Sequence, residues 1–179
     1  MDFTDIDKEL PDGNMGGIPQ YFYFGYHKDV LTWPTIPVAP ATLEASAGLT
    51  GNVLMKTGKR LFSMYVTDDM GEFTIEPVGE GDSKSFVMHL KVFHPGLRKK
   101  LLGFMNATCN ENMVFIVPDN NGQMFLMGDA LRSSTFVGSP DGAGTGKATT
   151  DKRGLSFEFT YKCKKLYAYE GTVPLTPAV

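Results

Sequence analysis

Apolar positions along this chain recur mostly at every second residue, and at helical spacing only once. In residues 94–109, HPGLRKKLLGFMNATC, Leu97, Leu101, Phe104 and Met105 fall three and four residues apart and form one stripe. Arg98, Lys99 and Lys100 mostly lie off that stripe. Pro95 suits a first helical position, where its missing N–H costs no hydrogen bond. The pattern predicts one helix over about residues 95–107. A lone amphipathic helix in a strand-rich chain has only a sheet to bury its stripe against.

Period-2 alternation predicts the strands. In residues 21–26, Tyr21, Tyr23 and Gly25 face one way and Phe22, Phe24 and Tyr26 the other, so this strand is buried on both faces by its own core or by a neighbouring subunit. Residues 59–67 alternate Leu61, Ser63 and Tyr65 against Phe62, Met64 and Val66. Residues 72–78 and 85–93 form a long hairpin around the polar tip 79–84. A second hairpin, 113–117 and 123–127, turns at PDNNG and follows the helix. A further strand is expected at 130–137 and a closing edge strand at 166–169. Residues 155–164 set Phe157, Phe159, Tyr161 and Cys163 against Ser156, Glu158, Thr160 and Lys162.

The prolines at 34, 37 and 40 make that stretch an extended connector, because each removes a ladder donor. Residues 41–51 read as a short helix or a turn. The expected organisation is an N-terminal arm (1–20), one β-sandwich or barrel domain (21–171) and a proline-bearing tail (172–179). The fold class is mainly β with one packed α-helix, in an antiparallel sandwich or barrel with a long hairpin.

With 179 residues, 42% of them hydrophobic and 21% charged, the chain suits one ordinary globular domain. A net charge of −3 does not favour a general nucleic-acid binder, although it leaves room for local basic patches. No apolar run approaches a membrane span and the acidic N-terminus lacks a signal-peptide core, so a soluble, non-secreted product is expected. Cys109 and Cys163 have no metal-type spacing and read as small buried residues in a reducing compartment.

Catalytic motifs are not found. Gly146-Lys147 resembles the end of a phosphate-binding loop, but Asp141 stands where the leading glycine belongs, Ala148 follows the lysine, and a turn replaces the helix. His27, His89 and His94 share no ligand spacing; His94 reads as a cap or packed residue at the helix entrance. Glu72 and Glu76, on one strand face, are ordinary solvated carboxylates, and Ser133, Ser134 and Thr135 lack a nucleophile elbow. Asn106-Ala107-Thr108 is a glycosylation sequon by chance, inside the helix. No enzyme activity, cofactor or metal is expected.

An arm, a long hairpin, a glycine-rich loop (138–150) and a tail are projections suited to reaching neighbours. In this order of elements, and in residues 114–130 and 145–171, the chain resembles the tail tube proteins of long-tailed bacteriophages. The resemblance spans roughly residues 20–171. It implies hexameric rings stacked in a virion tail, assembled in the bacterial cytoplasm beside other tail proteins. It also implies one sheet around a bore, a helix behind that sheet, and DNA passing through without specific binding. Lumen-facing candidates are Glu72, Thr74 and Glu76, or Ser156, Glu158 and Thr160. Inter-subunit candidates are Tyr21, Phe22, Tyr23, Phe24, Gly144 and Lys147. Alternatives are a head–tail joining or capsid decoration protein, and a monomeric glycan-binding sandwich using Tyr21, Tyr23, Tyr26 and Trp33.

Overall fold

The alternation in the long hairpin becomes the backbone of a five-stranded antiparallel sheet. A computed structural model describes residues 3–6, 14–138 and 142–178. The remaining stretches of the expected arm and of the glycine-rich loop lie outside the described residues. Strand β1 spans Tyr21–Tyr26, β2 Val30–Thr32, β3 Gly48–Leu49, β4 Leu54–Met55 and β5 Phe62–Tyr65. The hairpin is β6 (Gly71–Val78) and β7 (Ser85–Pro95). After it come β8 (Met113–Pro118), β9 (Met124–Met127), β10 (Thr135–Phe136), β11 (Ala143–Gly144), β12 (Gly154–Cys163) and β13 (Ala168–Tyr169). One sheet has the order β3-β13-β9-β8-β1-β5, the other β10-β12-β7-β6 with β11 also on β12, and β2 pairs β4 in a small ribbon. The fold is mainly β, as the alternation predicts.

The main core lies between the two large sheets. Phe22, Met113, Phe115, Val117 and Met127 face Met88, Leu90, Val92, Leu155, Phe157 and Phe159 across it. A second core covers the opposite face of the six-stranded sheet. There Val114, Ile116 and Leu126 meet Val30, Val53, Met55, Leu61 and Tyr169. Two cores explain why β8 is buried at all six positions and why β1 carries aromatics on both faces. Phe22 is fully buried, so it belongs to the protein's own core and is not an exposed inter-subunit contact.

The helix starts later than its sequence suggests. It spans Lys99–Thr108 (α2), and His94 and Pro95 instead extend β7 to pair with Leu155 and Gly154. Pro95 fits there because the N–H positions of odd residues in β7 face away from β12, toward β6, which has already ended. Gly96 then takes φ +84°, a left-handed turn that a continuing helix does not allow. Leu97 therefore packs on the core from just ahead of the helix, while Leu101, Phe104 and Met105 pack from within it. Thr108 completes the stripe, buried, with its hydroxyl donating to the Phe104 carbonyl at 2.9 Å. Phe104 sits edge-on to Phe24 of β1 (5.0 Å) and Phe157 of β12 (5.3 Å), so the helix closes the gap between the sheets. A second, one-turn helix, α1 (Leu43–Ala47), is capped by Thr42, whose hydroxyl accepts the Ala45 N–H.

Residues 14–20 and 172–178 engage the domain. Gln20 accepts the Val66 N–H and Ile18 packs on the main core. Residues 14–16 bind the β8–β9 turn, with Asn120 Nδ2 donating to the Gly16 carbonyl at 2.7 Å. The tail runs beside residues 57–61: Pro174 accepts the Leu61 N–H, Ala178 exchanges hydrogen bonds with Gly58 and Lys59, and Val173 joins the second core. Thus the tail, expected as a separate appendage, is a covering layer of the domain.

Candidate functional surface on the five-stranded sheet

Register decides which side chains share the outer face of this sheet. Glu72 stands opposite Lys91, which stands opposite Glu158. Thr74 stands opposite His89, then Thr160, then Thr135 of β10. Because neighbours across a ladder point to the same side, the two triplets Glu72, Thr74, Glu76 and Ser156, Glu158, Thr160 lie on one face. The sequence offers them as alternatives; the pairing through β7 makes them a single surface. Its reverse side carries Phe73, Ile75, Leu90, Phe157 and Phe159 into the main core.

The carboxylates Glu72, Glu76 and Glu158 each have a basic partner on this face. His89 Nδ1 lies 3.0 Å from Glu158 Oε1 and its Nε2 lies 3.2 Å from Glu76 Oε1. The ring donates through both nitrogens only when protonated. Glu158 is the most enclosed of the three, at 15% side-chain exposure against 60% for Glu76. Lys91 reaches Glu72 at 3.4 Å. Among the described residues no cluster of His, Cys, Asp and Glu has the geometry to hold a metal ion.

The other candidates disperse. His94 Nδ1 donates to the Pro95 carbonyl at 2.9 Å and its ring meets Tyr65 edge-on, so it closes β7 and caps no helix. Tyr21 is exposed and Tyr23 half-buried, their rings 5.5 Å apart. Phe24 packs against Phe104 and Phe62. Trp33 packs half-buried against the second core, its ring tilted against that of His27 at 4.9 Å. Tyr21 and Tyr23 therefore stand on the opposite side of β1 from Tyr26, and the four aromatics form no common platform.

Gly144 pairs with Gly154 at the end of β12. Lys147 is exposed, and its N–H, like that of Ala148, donates to Asp151 Oδ2 (2.7 and 2.8 Å). These two bonds hold the Asp151 carboxyl below its usual range. They also occupy the N–H groups a phosphate would need, which removes the loop's superficial likeness to a nucleotide cradle. Cys163 is buried, but Cys109 is exposed at the helix end, against expectation; the stripe rotates past it after Thr108. Ser134 is buried and donates to the Met127 carbonyl at 2.8 Å, a structural role.

The polar hub of the fold is Asp129, which the sequence pattern does not single out. Its carboxylate accepts the Leu131 and Arg132 N–H groups and the Tyr161 hydroxyl, and its carbonyl accepts His27 Nε2. Asp three residues before Arg132 carries a turn-forming signature; the link to Tyr161 carries none.

No protein-family model matches this chain, and neither a curated protein nor a solved structure matches it at a significant level. Among the described residues, no helix is long and apolar enough to cross a membrane.

Proposed function

We propose that the protein is a virion structural subunit of tail tube type, which assembles with itself into hexameric rings that stack into a conduit for DNA. In this reading the outer face of the five-stranded sheet lines the bore. The observation that carries it is the gathering of Glu72, Glu76 and Glu158, with Thr74, Ser156 and Thr160, on one solvent-facing sheet surface. Lys91 on that face is tied to Glu72, which limits its hold on a passing phosphate backbone. Helix α2 packs on the reverse side through Phe104, where a brace behind a bore would stand.

A route to ring closure is also available. The Phe93 N–H bonds the Met70 carbonyl, so even-numbered residues of β6 turn their backbone to β7 and Phe73 and Ile75 turn theirs outward. No described strand pairs with that edge. An apolar groove of about 450 Å³ runs beside it, lined in part by Met15, Ile18, Phe73, Ile75 and Phe125. An unpaired edge beside an apolar groove suits addition of a neighbour's strand.

The test is negative-stain microscopy of the concentrated protein, paired with sedimentation. Rings or tubes with a central bore are expected. Rings that never stack favour the head–tail joining or capsid decoration alternative. A species that stays monomeric at every concentration overturns the assembly reading.

A further inference from the structure

Beyond the acidic rows, the same sheet face ends in a small basic depression. It measures about 340 Å³ and is lined by Leu131, Arg132, Ser133, Thr135, Thr160 and Lys162. Two cations and the Thr135 and Thr160 hydroxyls therefore line one concavity, while the Ser133 hydroxyl beside them already donates to Asn112 Oδ1 at 2.9 Å. Thr135 and Thr160 are cross-strand partners, and Lys162 lies two residues along β12 on the same face. Among the described residues, neither Arg132 nor Lys162 has a carboxylate within ion-pair distance, whereas Glu158 nearby is engaged by His89. Asp129 is the neighbouring acid, and both of its carboxylate oxygens already accept hydrogen bonds from Leu131, Arg132 and Tyr161. Lys164 and Lys165, both exposed, follow at the end of β12 and add positive charge to this end of a chain whose net charge is −3.

We infer that this depression is an oxyanion site that takes a phosphate group. Guanidinium, ammonium and hydroxyl donors facing one cavity supply charge-assisted and neutral hydrogen bonds to several phosphate oxygens at once. The absence of any aromatic side chain in the lining provides no surface for stacking a base or a sugar. Recognition here is of the phosphate, carried on a nucleic-acid backbone or free in solution. The inference does not rest on the assembly reading, because all six lining residues come from one subunit.

The experiment compares the unaltered protein with the double variant Arg132→Gln/Lys162→Gln and with a charge-matched control, Lys99→Gln/Lys100→Gln, on the exposed start of α2. A fluorescent DNA duplex is titrated by anisotropy across salt concentrations, and inorganic phosphate is titrated while the Thr135 and Thr160 amides are followed by NMR. The depression variant is expected to lose tenfold or more in DNA affinity, and its slope of log affinity against log salt to fall by about 2, from roughly 0.9 per phosphate contact. The control is expected to change less than about twofold. Shifts with phosphate but no DNA binding assign the site to the free anion and uphold it. Equal losses in both variants, or no response of the unaltered protein to either ligand, overturn it.

Discussion

The Tyr161 hydroxyl donates a hydrogen bond to Asp129 Oδ2 at 2.6 Å. The bond runs from β12 of the five-stranded sheet to the turn leaving β9 in the six-stranded sheet, so it latches one sheet to the other. Burial, reinforced by the Asp129 carboxylate, pushes the Tyr161 phenol far above its usual range. The same carboxylate organises its own turn through the Leu131 and Arg132 N–H groups.

This latch is testable by substitution. Tyr161→Phe keeps the ring and removes only the donor, and is expected to cost about 1.5–3 kcal/mol, the range for hydrogen bonds to charged groups. Asp129→Ala loses the turn as well and is expected to cost more. Urea denaturation of both single variants and the double variant measures the coupling. Additive effects would show that the two groups do not work together.

The helix stripe supports a second prediction. Leu101→Ala is expected to cost about 2–5 kcal/mol, the range for a buried aliphatic site, and Phe104→Ala, at a half-buried site, about 3 kcal/mol, the low end of the aromatic range. Lys99→Ala, on the exposed side, is expected to stay within about 0.5 kcal/mol. Thermal unfolding that leaves Phe104→Ala unchanged would remove the helix from between the sheets.

Much of this architecture is legible in the sequence because alternation is a local signal. The hairpin of β6 and β7, the second hairpin and β12 fall close to where period-2 spacing puts them. The helix start is misplaced because Pro95 is acceptable both at a first helical turn and at a strand end, and only the pairing with Gly154 selects the strand. Phe22 reads as a possible interface residue because alternation cannot tell a second internal core from a neighbouring subunit. The surface itself is half legible: each triplet is visible alone, but that both share a face depends on β7 lying between β6 and β12. Asp129 and the basic depression depend on contacts between residues far apart in sequence, such as Thr135 with Thr160, which no local pattern encodes.

Thiol chemistry and alkaline stability follow from burial. Cys163 is pushed up to about 11 by burial, with Asp129 adding to the effect. Its folded value lies above its ordinary value of 9.0, so the native state holds the proton more tightly. The associated stability is whole below about pH 9 and is lost as pH rises through about 11. Tyr161 shifts in the same direction and strengthens the trend above pH 10. The urea midpoint should therefore be lower at about pH 10.5 than at pH 8, and Tyr161→Phe with Cys163→Ala should flatten the difference. In native protein a thiol reagent should label exposed Cys109 quickly and Cys163 only on unfolding.

The tail gives the last prediction. Residues 172–178 hydrogen-bond along residues 57–61, and Val173 packs in the second core with Tyr169 and Leu61. Arg60 Nη1 adds a bond to the Leu175 carbonyl at 3.2 Å. Truncation after Gly171 removes several backbone hydrogen bonds, each about 0.5–1.5 kcal/mol net, and uncovers apolar surface around Leu61. The expected loss is about 3 kcal/mol or more. For a chain of this size that corresponds to a melting point lower by roughly 6 °C or more, at about 2–4 °C per kcal/mol. Hydrogen exchange should localise the change, with the Leu61 and Gly58 amides losing protection first while β12 keeps it. A truncated protein that melts with the full chain and protects Leu61 equally would make the tail an appendage after all, free to reach another subunit.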